Sequence, residues 1–403
     1  MMKTHLLGLT ILAATNLSLV AEWPQFMGPE RNGTSRGEVR SSFDPEPKIL
    51  WTHRLGSGLA GPAVSGGLCV VFHRVRDTAT VEAFDAASGE SKWTFTYPTD
   101  YRDDFGFDPG PRATPTIAGG RVFTYGAEGM LHCLELKTGK KLWALDTTQQ
   151  PGASKGFFGR ACAPLVYKDS VIIQLDGIHC FEAATGKPKW KATGHEAGYA
   201  SPALAEIGGK TYSLHLTREG FICLDPDDGK VLIEEKFRSA NNASVNAATP
   251  LLFGDDQVFL SACYDVGAAL WELDPEGGSK KVRWAGGGVL DAHYATPVPL
   301  GDAIYGFHGR QETGQELRCI DPRSGKVHWS TKMTTGSLIA AGKQLIVLTE
   351  KGELILAPAK TSGFEASARG QILGATARAI PALSSGRLYA RDDRRLVCVD
   401  LNK

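Results

Sequence analysis

The sequence predicts an all-β fold, an eight-bladed β-propeller built from four-stranded antiparallel blades. Two repeated marks and one displaced strand lead to it. The first mark is a strand that ends in an acidic, glycine-containing turn and resumes toward a large apolar residue. Copies run over Phe84–Trp93, Leu134–Trp143, Phe181–Trp190, Leu224–Ile233, Leu273–Trp284 and Ile320–Trp329. Their spacing of roughly 45–50 residues is the period of a propeller blade. The second mark is a short run ending in proline: Ala113-Thr114-Pro115, Cys162-Ala163-Pro164, Ala200-Ser201-Pro202, Ala248-Thr249-Pro250, Ala295-Thr296-Pro297 and Ala379-Ile380-Pro381. Ala60-Gly61-Pro62 and Ser337-Leu338-Ile339 are degenerate copies. Proline is tolerated there because the start of a strand demands no ladder hydrogen bond.

Each element has a local reason. In Leu131-His132-Cys133-Leu134-Glu135-Leu136, apolar and polar residues alternate, so one strand face is buried. Thr138-Gly139-Lys140 then supplies a tight turn in which glycine accepts a positive φ. A blade cannot bury both faces alone, and a large flat side chain once per blade makes an inter-blade wedge. Trp93, Trp143, Trp190, Trp284 and Trp329 therefore read as packing residues rather than ligand-stacking ones.

Counting the proline-marked starts gives eight blades. The eighth ends at Leu396–Lys403 without a Trp strand. The missing strand stands at the other end of the chain, Ile49–Leu55. That N-terminal strand is expected to complete the last blade, closing the ring with no free edge. Blade 7 is the weakest copy, since Leu354-Ile355-Leu356-Ala357-Pro358 lacks both the acidic turn and the Trp. The expected organisation is a signal peptide over 1–21, an N-terminal extension over 22–48 and one propeller domain over 49–403.

Charge and cysteine usage narrow the function classes. Lys+Arg and Asp+Glu are both 44, so the formal net charge is zero. There is no basic stripe for nucleic acid and no acidic tail. Residues 1–21 combine Lys3, an apolar Leu6–Ala14 core and a Ser18-Leu19-Val20-Ala21 cleavage site. No cysteine stands near that site for a lipid anchor, so a periplasmic or secreted monomer is expected. Cys133, Cys180, Cys223, Cys319 and Cys398 hold one strand position in five blades. Equivalent positions in separate blades are too far apart to bridge, so these thiols are expected to be free and buried.

The run Glu182-Ala183-Ala184-Thr185-Gly186-Lys187-Pro188-Lys189-Trp190 resembles the repeat of the pyrroloquinoline quinone (PQQ)-like propeller family. That family includes quinoprotein alcohol dehydrogenases and the outer-membrane assembly factor BamB, which is eight-bladed and not an enzyme. The opening Trp23-Pro24-Gln25-Phe26-Met27-Gly28-Pro29 through Ser35 looks like the start of exported PQQ-like proteins abundant in planctomycete-type bacteria. Two departures stand out. The chain lacks the adjacent-cysteine pair and the length of the quinoprotein dehydrogenases, and it lacks the lipid-anchor cysteine usual in BamB-like proteins.

Residues just before each blade start are expected to face the central channel. They include Arg112, Arg160, Tyr199, Asn246, His293, Tyr294 and Arg378. Three arginines with phenols, an amide and an imidazole suit a small anion or an aromatic carboxylate. Asp291 and His293, two residues apart, are expected on one side of an extended segment and form the weak candidate for a proton-abstracting pair. Two long connections, Thr99–Pro111 and Gln149–Gly159, carry Tyr101, Phe105, Phe107, Phe157 and Phe158. These aromatics form either a partner-binding patch or a lid over the channel. Asp103, Asp104 and Asp108 read as loop solvation, with calcium binding as the alternative, and no metal site is assigned. The expected function is an exported, non-catalytic propeller that binds an envelope protein, a peptide or a small anionic ligand at the channel mouth. The alternative is a small PQQ-dependent oxidoreductase, with calcium, acting on an alcohol or sugar.

Overall fold

The computed structural model describes residues 22–150, 156–242 and 244–403. The predicted signal segment lies outside these residues. Eight antiparallel blades form a ring, with almost no helix. Blade 1 is Ala63–Ser65, Leu68–Val75, Thr78–Asp85 and Ser91–Pro98; blade 2 follows with Thr116–Ala118, Arg121–Tyr125, Met130–Glu135 and Lys141–Asp146. In blade 3 the two central strands run on as one segment, Ser170–Glu182. Its first half pairs with Leu165–Tyr167 and its second half with Pro188–Glu196. The eighth blade closes as expected. Ile49–Arg54 pairs with Arg395–Asp400 in the register Ile49↔Val399 and Arg54↔Arg395.

The two halves of the repeat turn out to be one joint. The ring of Trp93 lies against the turn of the next blade, where a Cβ on Gly139 would come within 2.6 Å of it. Its indole N–H donates to the Leu136 carbonyl of that same turn at 2.8 Å. The joint recurs between Trp51 and Gly89, Trp143 and Gly186, Trp190 and Gly229, and Trp284 and Gly325. Glycine is needed twice over, for φ near 70° and for the room the indole takes. Each such ring contributes about 2 kcal/mol of burial between blades that share no backbone pairing. All eight cysteines are free and buried.

The segment 22–48 is integrated into the ring. Trp23 is buried and bridges Val64 of blade 1. The Pro24 carbonyl accepts from the Ile117 amide of blade 2 at 2.7 Å. Thr34–Ser35 pairs in parallel with Ala340–Ala341 of blade 7, and Arg40 donates to the Leu401 and Asn402 carbonyls of blade 8. The arm thus crosses the face that carries the turns between first and second strands.

Arg31 of the arm is buried in the channel. The guanidinium donates to the carbonyls of Pro202 (3.0 Å), Ala163 (3.4 Å) and Pro164, to Thr116 Oγ1 and to Gln25 Oε1. Three of these acceptors belong to the proline-marked blade starts. All are neutral, and burial pulls the Arg31 pKa down to about 9. The arm closes one face of the channel.

Candidate functional site

The opposite face stays open and holds a cavity of about 250 Å³. Its floor is Phe26, contributed by the arm from below. Its walls come from two kinds of connection on one rim. Arg112, Tyr199, His293, Tyr294 and Arg378 stand immediately before blade starts. Tyr264, Gln311 and Glu312 stand on hairpins between second and third strands, a class of loop to which the repeat marks give no pointer. Tyr264 follows Gln257–Ala262 and sits at φ 62°, a left-handed conformation uncommon for a residue with a ring.

The aromatic residues of the two long connections come together on one rim. Phe105 and Phe107 are 56% and 69% exposed, and Phe157 and Phe158 are half-buried. Their rings form one cluster: Phe105–Phe107 at 5.9 Å, Phe105–Phe158 at 5.3 Å and Phe105–Phe157 at 6.0 Å between centroids. Phe107 and Phe158 also line the cavity. Tyr101, grouped with these rings on sequence grounds, is 5% exposed and packs beneath the loop against Gly159. It supports the rim rather than presenting a surface.

The charges differ from the expected cationic funnel. Arg112 pairs with Asp103 at 3.1 Å and lies 5.7 Å from the Phe158 ring centroid. Arg378 pairs with Glu350 of blade 7. Arg310 stacks 4.7 Å over Tyr264 and pairs with Glu312 at 3.3 Å. Each cation at the mouth has a carboxylate of its own, so an anion would have to displace one. Arg160 lines a separate crevice with Phe157, Glu196 and Arg218. Asn246 is buried, and its amide donates to the Thr217 and Phe237 carbonyls, a brace within blade 4.

Asp291 and His293 do not act as a pair. The Asp291 carboxylate accepts from the Gly288 amide at 2.9 Å and lies 3.9 Å from His308 Nδ1. It is not among the residues lining the cavity. After a lone bridge at Ala292 the chain bends from His293 to Ala295, so the extended segment on which the expected pairing rested is not formed. His293 instead shares a hydrogen bond with the Tyr264 hydroxyl through Nε2 at 2.8 Å. Burial lowers its pKa and favours the neutral ring, with Glu312 opposing.

Asp103 is the residue that sequence reading undervalued. It is buried, and its carboxylate accepts from the amides of Phe105, Phe107 and Asp108 as well as from Arg112. Burial raises its pKa, but those three amides and Arg112 outweigh it and hold the carboxyl below its usual range. It organises the loop that presents Phe105 and Phe107. An acidic residue two before a Phe-Gly-Phe run was its only signal.

The alternative reading requires residues to hold PQQ with calcium. Among the described residues no three His, Cys, Asp or Glu side chains converge as a metal donor set. The arginines are matched by carboxylates, and the cysteines lie apart in separate strands. The residues present do not fit that group.

The family model described as "Outer membrane protein assembly factor BamB" matches residues 35–179, 77–307 and 313–403. The chain belongs to this family of PQQ-like propellers. It is 28% identical over 201 residues to the outer membrane protein assembly factor BamB of Burkholderia pseudomallei, covering 47% of this chain and 50% of the relative. It is 23% identical over 325 residues to that of Shewanella oneidensis, covering 76% and 67%. The aligned part thus spans about half the length of the Burkholderia relative. Among solved structures, BamB from Moraxella catarrhalis superposes with a TM-score of 0.62 at 17% identity, covering 88% of this chain and 97% of that one. The quinohemoprotein alcohol dehydrogenase from Comamonas testosteroni superposes at 0.65 with 16% identity, covering 95% and 81%. At these identities both likenesses concern the fold.

Proposed function

We propose that this chain is a non-catalytic binding propeller of the bacterial envelope that serves outer-membrane protein assembly by docking a protein partner on its aromatic rim. The observation that carries the reading is the cluster of Phe105, Phe107, Phe157 and Phe158. Phe105 and Phe107 are exposed, the four rings contact one another, and Phe107 and Phe158 also line the cavity. Monomeric surfaces rarely leave such rings uncovered unless something binds there. Family membership supports assembly work over chemistry, and so does the mouth's matched charge.

Capture from an envelope extract tests this. The full mature chain is immobilised beside a Phe105→Ala/Phe107→Ala variant. The expected result is an identified outer-membrane protein or assembly component, held by the parent and lost by the variant. Equal capture by both, or capture of no envelope protein, would remove the reading.

A further inference from the structure

Two residues that line the cavity each carry a buried polar atom with no hydrogen-bond partner among the described residues. His293 is 7% exposed, and its Nδ1 is buried and unbonded. The Tyr294 hydroxyl, from the adjacent residue, is in the same condition. Buried polar groups are hydrogen-bonded in the great majority of cases, so two orphans side by side in one cavity need a missing partner. His293 Nδ1 offers a donor or an acceptor according to tautomer, and the phenol offers both.

The rest of the cavity narrows what that partner is. Phe26, Phe107, Phe158, Tyr199 and Tyr264 are among its lining residues. Such walls favour a flat aromatic group over an aliphatic one. The carboxylates beside Arg112, Arg310 and Arg378 leave no uncompensated cation for an anion. The volume of about 250 Å³ is below the roughly 300–1,000 Å³ usual for a drug-sized ligand and suits one ring system. The floor is closed by the arm, so entry is from the rim. Phe107 and Phe158 belong to rim and cavity alike, so a segment lying on the rim passes directly over the opening.

We propose that the cavity is a socket for one uncharged aromatic side chain with a hydrogen-bonding group, tyrosine or tryptophan, delivered by an extended segment of the docked partner. This inference rests on the reading that the rim binds a protein. The anchor would stack on the aromatic walls and bond to His293 and Tyr294.

The probes are N-acetyl-tyrosinamide and N-acetyl-tryptophanamide, with N-acetyl-leucinamide and benzoate as contrasts. They are titrated into the full chain by calorimetry and ligand-observed NMR. Both aromatic amides should bind with a Kd on the order of 1 mM. Leucinamide and benzoate should bind at least tenfold more weakly. Ala247→Phe, which fills the cavity, should abolish aromatic binding. Tyr294→Phe removes only the orphaned hydroxyl, so it should weaken tyrosinamide severalfold with an unchanged melting temperature. Equal binding of leucinamide, tighter binding of benzoate, or indifference to Ala247→Phe and Tyr294→Phe would overturn the socket. The parent reading fails separately. Aromatic amides that bind while capture on the rim is absent would sink partner docking alone. Capture that survives Ala247→Phe and is lost in Phe105→Ala would sink the socket alone.

Discussion

The two ends of the central channel carry different classes of blade loop and behave oppositely. At the closed end, Arg31 reaches five acceptors from the ring and its own arm, and every one is satisfied. At the open end, His293 Nδ1 and the Tyr294 hydroxyl are left without partners, and two phenylalanines face solvent. A completed hydrogen-bond set marks a structural joint. An incomplete set is found at both ends, since His215 Nδ1 near Arg31 is also unpartnered among the described residues, so it is the exposed rings beside His293 and Tyr294 that set the open end apart.

The largest effect is expected at the closed end. Arg31→Ala strips a buried cation from the Pro164 and Pro202 carbonyls and releases the arm, costing about 3 kcal/mol in urea unfolding. Limited proteolysis should then cut within residues 22–40. An unchanged unfolding midpoint would break the comparison, because the closed end would be no joint.

Acid should act through two buried histidines, one near Arg31 and one packed against Phe95 and Tyr97. His215 is buried near Arg31, and burial first, then that cation, push its pKa down to about 3. Burial likewise pulls His132 down to about 4. Both folded values lie below the unfolded one of about 6.5. Their neutral forms therefore contribute stability that is present above pH 6.5 and lost as pH falls toward 3. A melting temperature that declines through this range, with a smaller decline in His132→Gln, is the expected profile.

At the open end, Asp103→Ala should cost about 2 kcal/mol or less, confined to the rim. Amide exchange should accelerate at Phe105, Phe107 and Asp108 while blade cores stay protected. Smallest of all, Tyr294→Phe should move global stability by less than about 0.5 kcal/mol, since its hydroxyl has no partner to lose. A clear destabilisation there would mean the hydroxyl is already satisfied. Titration with PQQ plus calcium should give no saturable heat, and micromolar binding would revive the oxidoreductase reading.

Much of the fold was legible because its causes are local. A turn glycine, an acidic residue and a Trp lie close together in the chain, and the joint forms where a Trp strand is followed by a blade that carries such a turn. The displaced strand Ile49–Arg54 was legible because a ring must close. The site was legible only as positions: the residues before blade starts do face the channel at Arg112, Tyr199, His293, Tyr294 and Arg378. Tyr264 and Gln311 were missed because their hairpins carry no repeated mark. The cationic character inferred for the mouth was misread because Arg378 and its partner Glu350 stand in different repeats, 28 residues apart.

By itself, then, the sequence determined the blade, the number of blades and the way the ring closes. Those follow from alternation, turn geometry and stacking between neighbours. Only the tertiary structure decided which face of the channel is shut, which charges cancel and which polar atoms stay unpaired. Such properties depend on side chains converging from many blades at the axis, where separation along the chain says nothing about distance.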